Sequence, residues 1–147
     1  MSQSNKHREL VLHLAKITKI RYPSANPITD CQLKPGDEVP PMIGRYRPDM
    51  YAERTDCSPV IIGEAKTDYD LDSEHSFMQV RFFLSYLEQR DHGVFVLSVS
   101  GTSDDKAKTF MRFIVQELKL VNTRIEVFDS FDIWHLDLTG RRKWRLV

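Results

Sequence analysis

Cysteine is scarce in this sequence: two residues, Cys31 and Cys57, in a chain of 147. Two thiols make neither a disulfide framework nor a four-ligand zinc site, so both are expected to be reduced. Long apolar runs are missing too. The longest, Val94 to Leu97, falls far short of the ~20 residues that cross a bilayer, which excludes a membrane-spanning helix. The opening stretch, MSQSNKHREL, is polar and lacks the apolar core of a secretory signal, so a cytoplasmic location is expected. There is no repeat, low-complexity tract or Gly/Ser linker, and the length suits one domain over residues 1–147. No G-x-x-x-x-G-K-[ST] loop occurs, so nothing points to ATP. Serine-hydrolase motifs are absent, and His7, His13, His92 and His135 show no zinc spacing. An excess of either charge is also lacking, with 21 Lys+Arg against 21 Asp+Glu. That balance argues against a protein that works by coating nucleic acid. With 41% hydrophobic residues the chain has a globular composition.

Neutrality hides a pattern. Residues 1–48 hold eight basic and four acidic side chains, residues 49–92 hold four and ten, and residues 93–147 hold nine and seven. The net charges are therefore +4, −6 and +2. An acidic middle lies between two basic flanks, and the chain closes on Arg141-Arg142-Lys143-Trp144-Arg145.

Periodicity organises the rest. Leu10, Leu14, Ile17 and Arg21 fall at helical spacing, widened by Val11 and Ile20, which predicts a first helix from about Lys6 to Arg21. Pro23 and Pro27 end it, and a Pro/Gly-rich stretch follows. Tyr46 to Arg54 reads as extended, because Pro48 disfavours helix at Arg47. Val60 to Lys66 reads as a strand. Ser73 reads as the N-cap of a helix to Arg90 with Phe77, Val80, Leu84 and Leu87 as its apolar stripe. A buried strand over Val94–Val99, a helix from Ser103-Asp104 with Ala107, Phe110, Ile114 and Leu118 inward, and strands near 124–128 and 133–138 complete the chain. A mixed sheet sandwiched by helices is the expected α/β architecture.

The acidic middle carries the chemistry. Glu64 and Lys66 stand two apart on a predicted strand, so their side chains emerge on one face, about 7 Å apart. Such a pair in an apolar strand is costly unless the place is functional or solvent-open. Asp49 follows Pro48 in a segment that can pair with the Glu64 strand as a hairpin, making the two carboxylates neighbours. Paired carboxylates repel, so one pKa should rise unless a cation intervenes. Hard oxygen donors with room for water suit Mg²⁺ or Mn²⁺. Lys66 can then orient or help deprotonate a water bound to the cation, or offset charge on a pentavalent phosphate.

Pro48-Asp49 and Glu64-Ala65-Lys66 together resemble the signature of the PD-(D/E)XK nuclease superfamily, and the order of predicted elements through Val99 resembles its α-β-β-β-α-β core. The resemblance implies a restriction-endonuclease-like mixed β-sheet flanked by helices. It implies a metal site of Asp49, Glu64 and the Ala65 backbone carbonyl, with Lys66 catalytic. Gln79, Phe83 and Tyr86 resemble the glutamine-plus-aromatic signature of RecB-like and resolvase-like members, where the glutamine helps place the lysine or the phosphate. Glu9 resembles the acid that many members supply from the first helix as a further metal ligand. His75 shares a helix face with Gln79 and reads either as a surface residue or as a neighbour of the site. Asp68, Asp70 and Asp72 alternate as in a calcium loop, but Ser73 stands where Gly is needed and Gln79 where Glu is, so an EF-hand is excluded.

Phosphate contact is expected from Lys16, Lys19 and Arg21 on the first helix, from Arg45 and Arg47 before Asp49, and from Arg142, Lys143 and Arg145 in the tail. Trp144 reads either as a base-stacking residue or as a docked core residue. The expected function is that of a Mg²⁺- or Mn²⁺-dependent endonuclease hydrolysing DNA by in-line attack of a metal-bound water. Cutting both strands would need a homodimer or a targeting partner protein. The alternatives are a nuclease-fold DNA-binding or assembly module that no longer cuts, and a nuclease directed at RNA.

Overall fold

The computed structural model describes residues 5–31, 36–53, 60–90, 93–129, 133–136 and 144–146. The first helix, α1 (Asn5–Arg21), matches the predicted span and buries Leu10, Val11, Leu14 and Thr18. Strands β1 (Ile28–Thr29), β2 (Met50–Glu53) and β3 (Val60–Ala65) follow, then α2 (Glu74–Glu88). Next come β4 (Val94–Ser98), α3 (Asp104–Leu118), β5 (Arg124–Phe128), β6 (Ile133–Leu136) and β7 (Trp144–Leu146). Ser73 caps α2 as its sequence suggested, its hydroxyl accepting the Ser76 N–H at 3.3 Å.

All seven strands form one sheet in chain order. β1–β2 and β2–β3 are antiparallel, β3–β4 and β4–β5 parallel, β5–β6 and β6–β7 antiparallel. A parallel step needs a crossover, which α2 and α3 provide. Two successive crossovers of one hand moving the same way across the sheet put both helices on the same face. They pack there on Ile62, Phe95, Leu97, Ile125 and Val127. α1 covers the other face through Leu14 against Ile61, Val94 and Val96. The expected mixed sheet flanked by helices is therefore present, with the α-β-β-β-α-β order extended by α3 and three further strands. Burying Phe83 and Phe95 completely contributes about 1.5–3 kcal/mol apiece.

Two local features set up the site. Gly63 lets α1 approach β3 closely: a Cβ there would lie 2.8 Å from Leu14 Cδ2. The β2–β3 register pairs Met50 with Gly63, which puts Asp49 opposite Glu64 at the strand end. Of the basic residues expected in the tail, Arg145 lies in β7 opposite His135. Arg142 and Lys143 lie outside the described residues, as do Cys57 and His92. Among the described residues no helix is long and apolar enough to cross a membrane.

Candidate active site

The hairpin of β2 and β3 joins the two acids by backbone as well as by side chain. The Asp49 N–H donates to Glu64 Oε2 at 2.7 Å, and the Ala65 N–H donates to Asp49 Oδ2 at 2.9 Å. Lys66 follows the last residue of β3, where its N–H donates to the Ser98 carbonyl at 3.0 Å on β4. Its Nζ donates to Gln79 Oε1 at 2.7 Å and stands 3.4 Å from Glu64 Oε1. The latter is ionic proximity without hydrogen-bond geometry, and Glu64 Oε1 remains a buried oxygen with no hydrogen bond. Asp49, Glu64 and Lys66 are all buried. The structure thus brings together Asp49, Glu64, Lys66 and Gln79, the four residues expected to do chemistry.

Electrostatics divide the two carboxylates. Burial pushes Glu64 well above its ordinary carboxyl range, the Asp49 charge pushes the same way, and Lys66 offsets only part. Burial also opposes charge on Asp49, but the bond with His7 and the Ala65 N–H outweigh it and hold that carboxyl below its usual range. Glu64 is therefore the member of the pair whose pKa rises.

His7 is the site neighbour that the sequence reading passed over. Its Nε2 lies 3.3 Å from Asp49 Oδ2, 42 residues away in the chain. The hydrogen bond to Asp49 raises the imidazole pKa, against the opposing effect of burial. A signal did exist, because His7 precedes Leu10, Val11 and Leu14 by three, four and seven positions and so shares the buried face of α1. The same geometry corrects the expectation for Glu9. Two helical residues apart means about 200° around the axis, so Glu9 turns away as His7 turns in, and Glu9 is exposed.

Several cations are engaged elsewhere. Lys19 does not present its amine for phosphate: Nζ donates to the Pro23 and Ala25 carbonyls at 2.9 and 2.8 Å, tying down the chain beyond α1. Arg21 is clamped to Glu126 through two 2.9 Å bonds. Arg45 and Arg47, by contrast, are exposed and form no ion pair among the described residues. The acidic run forms a short 3₁₀ turn at Asp70–Asp72. There Asp70 Oδ2 accepts from Thr67 Oγ1 at 2.9 Å, and Asp68 and Asp72 clasp Lys106 of α3. His75 is exposed, with its ring edge-on to Tyr46 at 6.0 Å. Phe83 is fully buried and Tyr86 partly so. An apolar depression of about 590 Å³ between α2 and α3, lined by Phe77, Phe110 and Phe113, contains none of the site residues.

The donor set fits a hard divalent cation, with an unbonded buried carboxylate oxygen as the observation in its favour. Among the described residues no cluster of three or more His, Cys, Asp and Glu side chains has metal-holding geometry. Asp49, Glu64 and the Ala65 carbonyl are the groups that would hold such a cation, with water completing its shell.

No family model matches the chain, and no curated protein does. Among solved structures the chain is similar to SfsA of Pyrococcus furiosus, described in complex with Ca²⁺, at 15% identity and a TM-score of 0.48. The match covers 95% of this chain and 62% of that one, so the chain spans less than two thirds of that protein. A likeness at this level assigns neither family nor function.

Proposed function

We propose that the protein is a Mg²⁺- or Mn²⁺-dependent nuclease that hydrolyses phosphodiester bonds in DNA on the PD-(D/E)XK plan. One observation carries the reading: two carboxylates and a lysine are buried together at one sheet end, with Glu64 Oε1 left without a hydrogen bond. A purely structural ion pair has no use for that frustration, since a buried carboxylate oxygen left without a hydrogen bond is destabilising even beside a cation. Perturbed carboxyl groups of this kind mark functional sites.

Asp49 and Glu64, with the Ala65 carbonyl, would hold the cation, which when bound supplies Lewis acidity at the phosphoryl oxygen and eases deprotonation of water. The chain's own residues do the rest. Lys66, held between Gln79 and Glu64, orients the attacking water and offsets negative charge gathering on the phosphorus oxygens. Gln79 is a positioning residue that fixes the lysine's ammonium. His7 steadies Asp49 Oδ2 from α1. Arg45 and Arg47 are free to contact phosphates on the approach to Asp49. Cutting both strands takes a second site, from a homodimer or a targeting partner.

The test is cleavage of supercoiled plasmid with Mg²⁺ or Mn²⁺. Wild-type protein yields nicked and linear product, and Lys66→Ala loses on the order of 10²–10³-fold in rate while keeping its circular dichroism spectrum. Undiminished cleavage by that variant would falsify the proposal.

A further inference from the structure

The outer face of α2 carries an exposed apolar surface that begins at the site. Each helical residue turns about 100°, so His75, Gln79, Phe82 and Tyr86 share one stripe with Met78 at its edge. Gln79 in that stripe is the residue that holds Lys66. Across the stripe lies a tight turn closed by two backbone hydrogen bonds between Ile43 and Tyr46, at 2.7 and 3.1 Å. Gly44 makes the turn with φ of +61°, and its backbone rests so near the Phe82 ring that a Cβ would collide with it. Tyr46 stands edge-on to Phe82 at 5.7 Å and to the buried Phe83 at 6.1 Å, which anchors the turn to the core.

Much of this surface faces solvent. Phe82 is 42% exposed, Met78 48% and Met42 52%. Beside them is a shallow depression of about 350 Å³ lined by Met78, Arg81, Phe82, Ser85, Tyr86 and Gln89. Cations flank it. Arg45 and Arg47 emerge from the turn and from the segment running into Asp49, both exposed and unpaired among the described residues. Arg90 lies over the Tyr86 ring at 4.1 Å at the far end. Scattered exposed apolar residues need no explanation, but an aromatic patch between cations and next to a catalytic lysine has the composition of a single-strand binding surface. In a duplex each base is stacked on its neighbours, so only an unpaired base has a ring face to offer.

We propose that this surface is a stacking platform for unpaired bases, with Phe82 as the stacking ring and Arg45 and Arg47 as contacts to the neighbouring phosphates. The inference rests on the nuclease reading and deepens it: the preferred substrate is single-stranded or branched DNA rather than fully paired duplex.

Binding tests it separately from catalysis. Fluorescence anisotropy is measured in EDTA at low salt, with a fluorescein-labelled oligothymidylate of about 20 nucleotides, longer than the ~4–16 of one single-strand site, and with a duplex of equal length. Wild-type protein is expected to bind the single strand more tightly. Phe82→Leu keeps bulk against Gly44 and Tyr46 but removes the ring, and should weaken single-strand binding about tenfold with little change for duplex. Phe82→Trp should retain it. If the leucine variant unfolds, Phe82→Met takes its place, keeping an apolar side chain against Gly44 and Tyr46 without a ring, with the same expected loss. Unchanged single-strand affinity, or equal losses on both DNAs, overturns the platform. Phe82-dependent binding without cleavage under any metal supports it while the nuclease reading falls. Cleavage with binding indifferent to Phe82 overturns the platform and leaves the nuclease reading standing.

Discussion

Glu64 and Glu126 are each 1% exposed, on strands separated only by β4. The register pairs Glu64 with Leu97 and Glu126 with Val96, so the two side chains leave opposite faces of the sheet. Their surroundings differ more than their burial. Glu126 accepts from Arg21 Nε and Nη2 at 2.9 Å each, from the Tyr22 hydroxyl at 2.7 Å and from Arg124 Nε at 2.6 Å. Burial opposes its charge, but those donors outweigh it and hold its carboxyl below the ordinary 4.5. Burial and the Glu126 charge together push the Tyr22 phenol up to about 12. Glu64 accepts one backbone N–H on one oxygen and none on the other. Burial and the Asp49 charge raise its pKa. Burial alone therefore does not mark a site. A carboxylate whose donors are complete is architecture; Glu64, short of donors beside a second carboxylate, is the one whose charge the fold leaves unsatisfied.

The strongest way to break this contrast is to neutralise each glutamate. Glu64→Gln should lower DNA cleavage on the order of 10²–10³-fold while leaving the thermal midpoint unchanged or higher, because it removes a frustrated charge. A variant that loses stability along with activity would make Glu64 structural and end the contrast. Glu126→Ala should do the reverse, costing about 3 kcal/mol in urea unfolding, the low end for a broken buried ion pair because Arg124 and Arg21 can reach water. Its cleavage per folded molecule should be nearly unaffected. A loss smaller than about 1 kcal/mol, the scale of an exposed pair, would show that the clamp contributes little.

Metal addition probes the unsatisfied side alone. Mn²⁺ at about 100 times its dissociation constant should stabilise the wild-type protein by about 2.7 kcal/mol, reversed by EDTA and absent in Asp49→Asn. An equal shift in that variant would place the binding elsewhere. Acid titration gives the gentlest test, with opposite signs for the two residues. Glu126, with its lowered folded pKa, contributes stability that is complete above 4.5 and lost as pH falls through the folded value. The deficit of Glu126→Ala should therefore shrink in acid. Glu64, with its raised folded pKa, costs stability as pH rises from 4.5 toward the folded value. Glu64→Gln should gain on wild type across that window, as read by denaturant unfolding at a series of pH values. Parallel profiles for the two variants would contradict the contrast.

Much of the fold was legible because it is local. The stripe of Leu10, Val11 and Leu14 identifies α1, Ser73 marks the start of α2, and the apolar run at Val94 marks β4. The meeting of Asp49 and Glu64 was legible too, since a hairpin joins residues 15 apart in a register set by side-chain alternation. Misreadings fell on groups whose partners are remote or irregular. Lys19 and Arg21 look identical in sequence to phosphate-binding cations, yet one caps carbonyls and the other reaches Glu126 across 105 residues. Glu9 was expected at the metal site by resemblance, and helix phase turns His7 rather than Glu9 toward Asp49.

By itself, then, the sequence determined the helices and every strand except β1 and β7, the neutral total that conceals an acidic middle, and the placing of Asp49, Glu64 and Lys66 at one sheet end. Those follow from periods of 2 and 3.6 residues and from one short hairpin. Only the tertiary structure decided which buried glutamate has its charge satisfied, which cations remain free, and that α1 supplies His7 to Asp49. Such pairings depend on how helices settle on the two faces of the sheet, as at Gly63 under Leu14, and no local spacing encodes that distance.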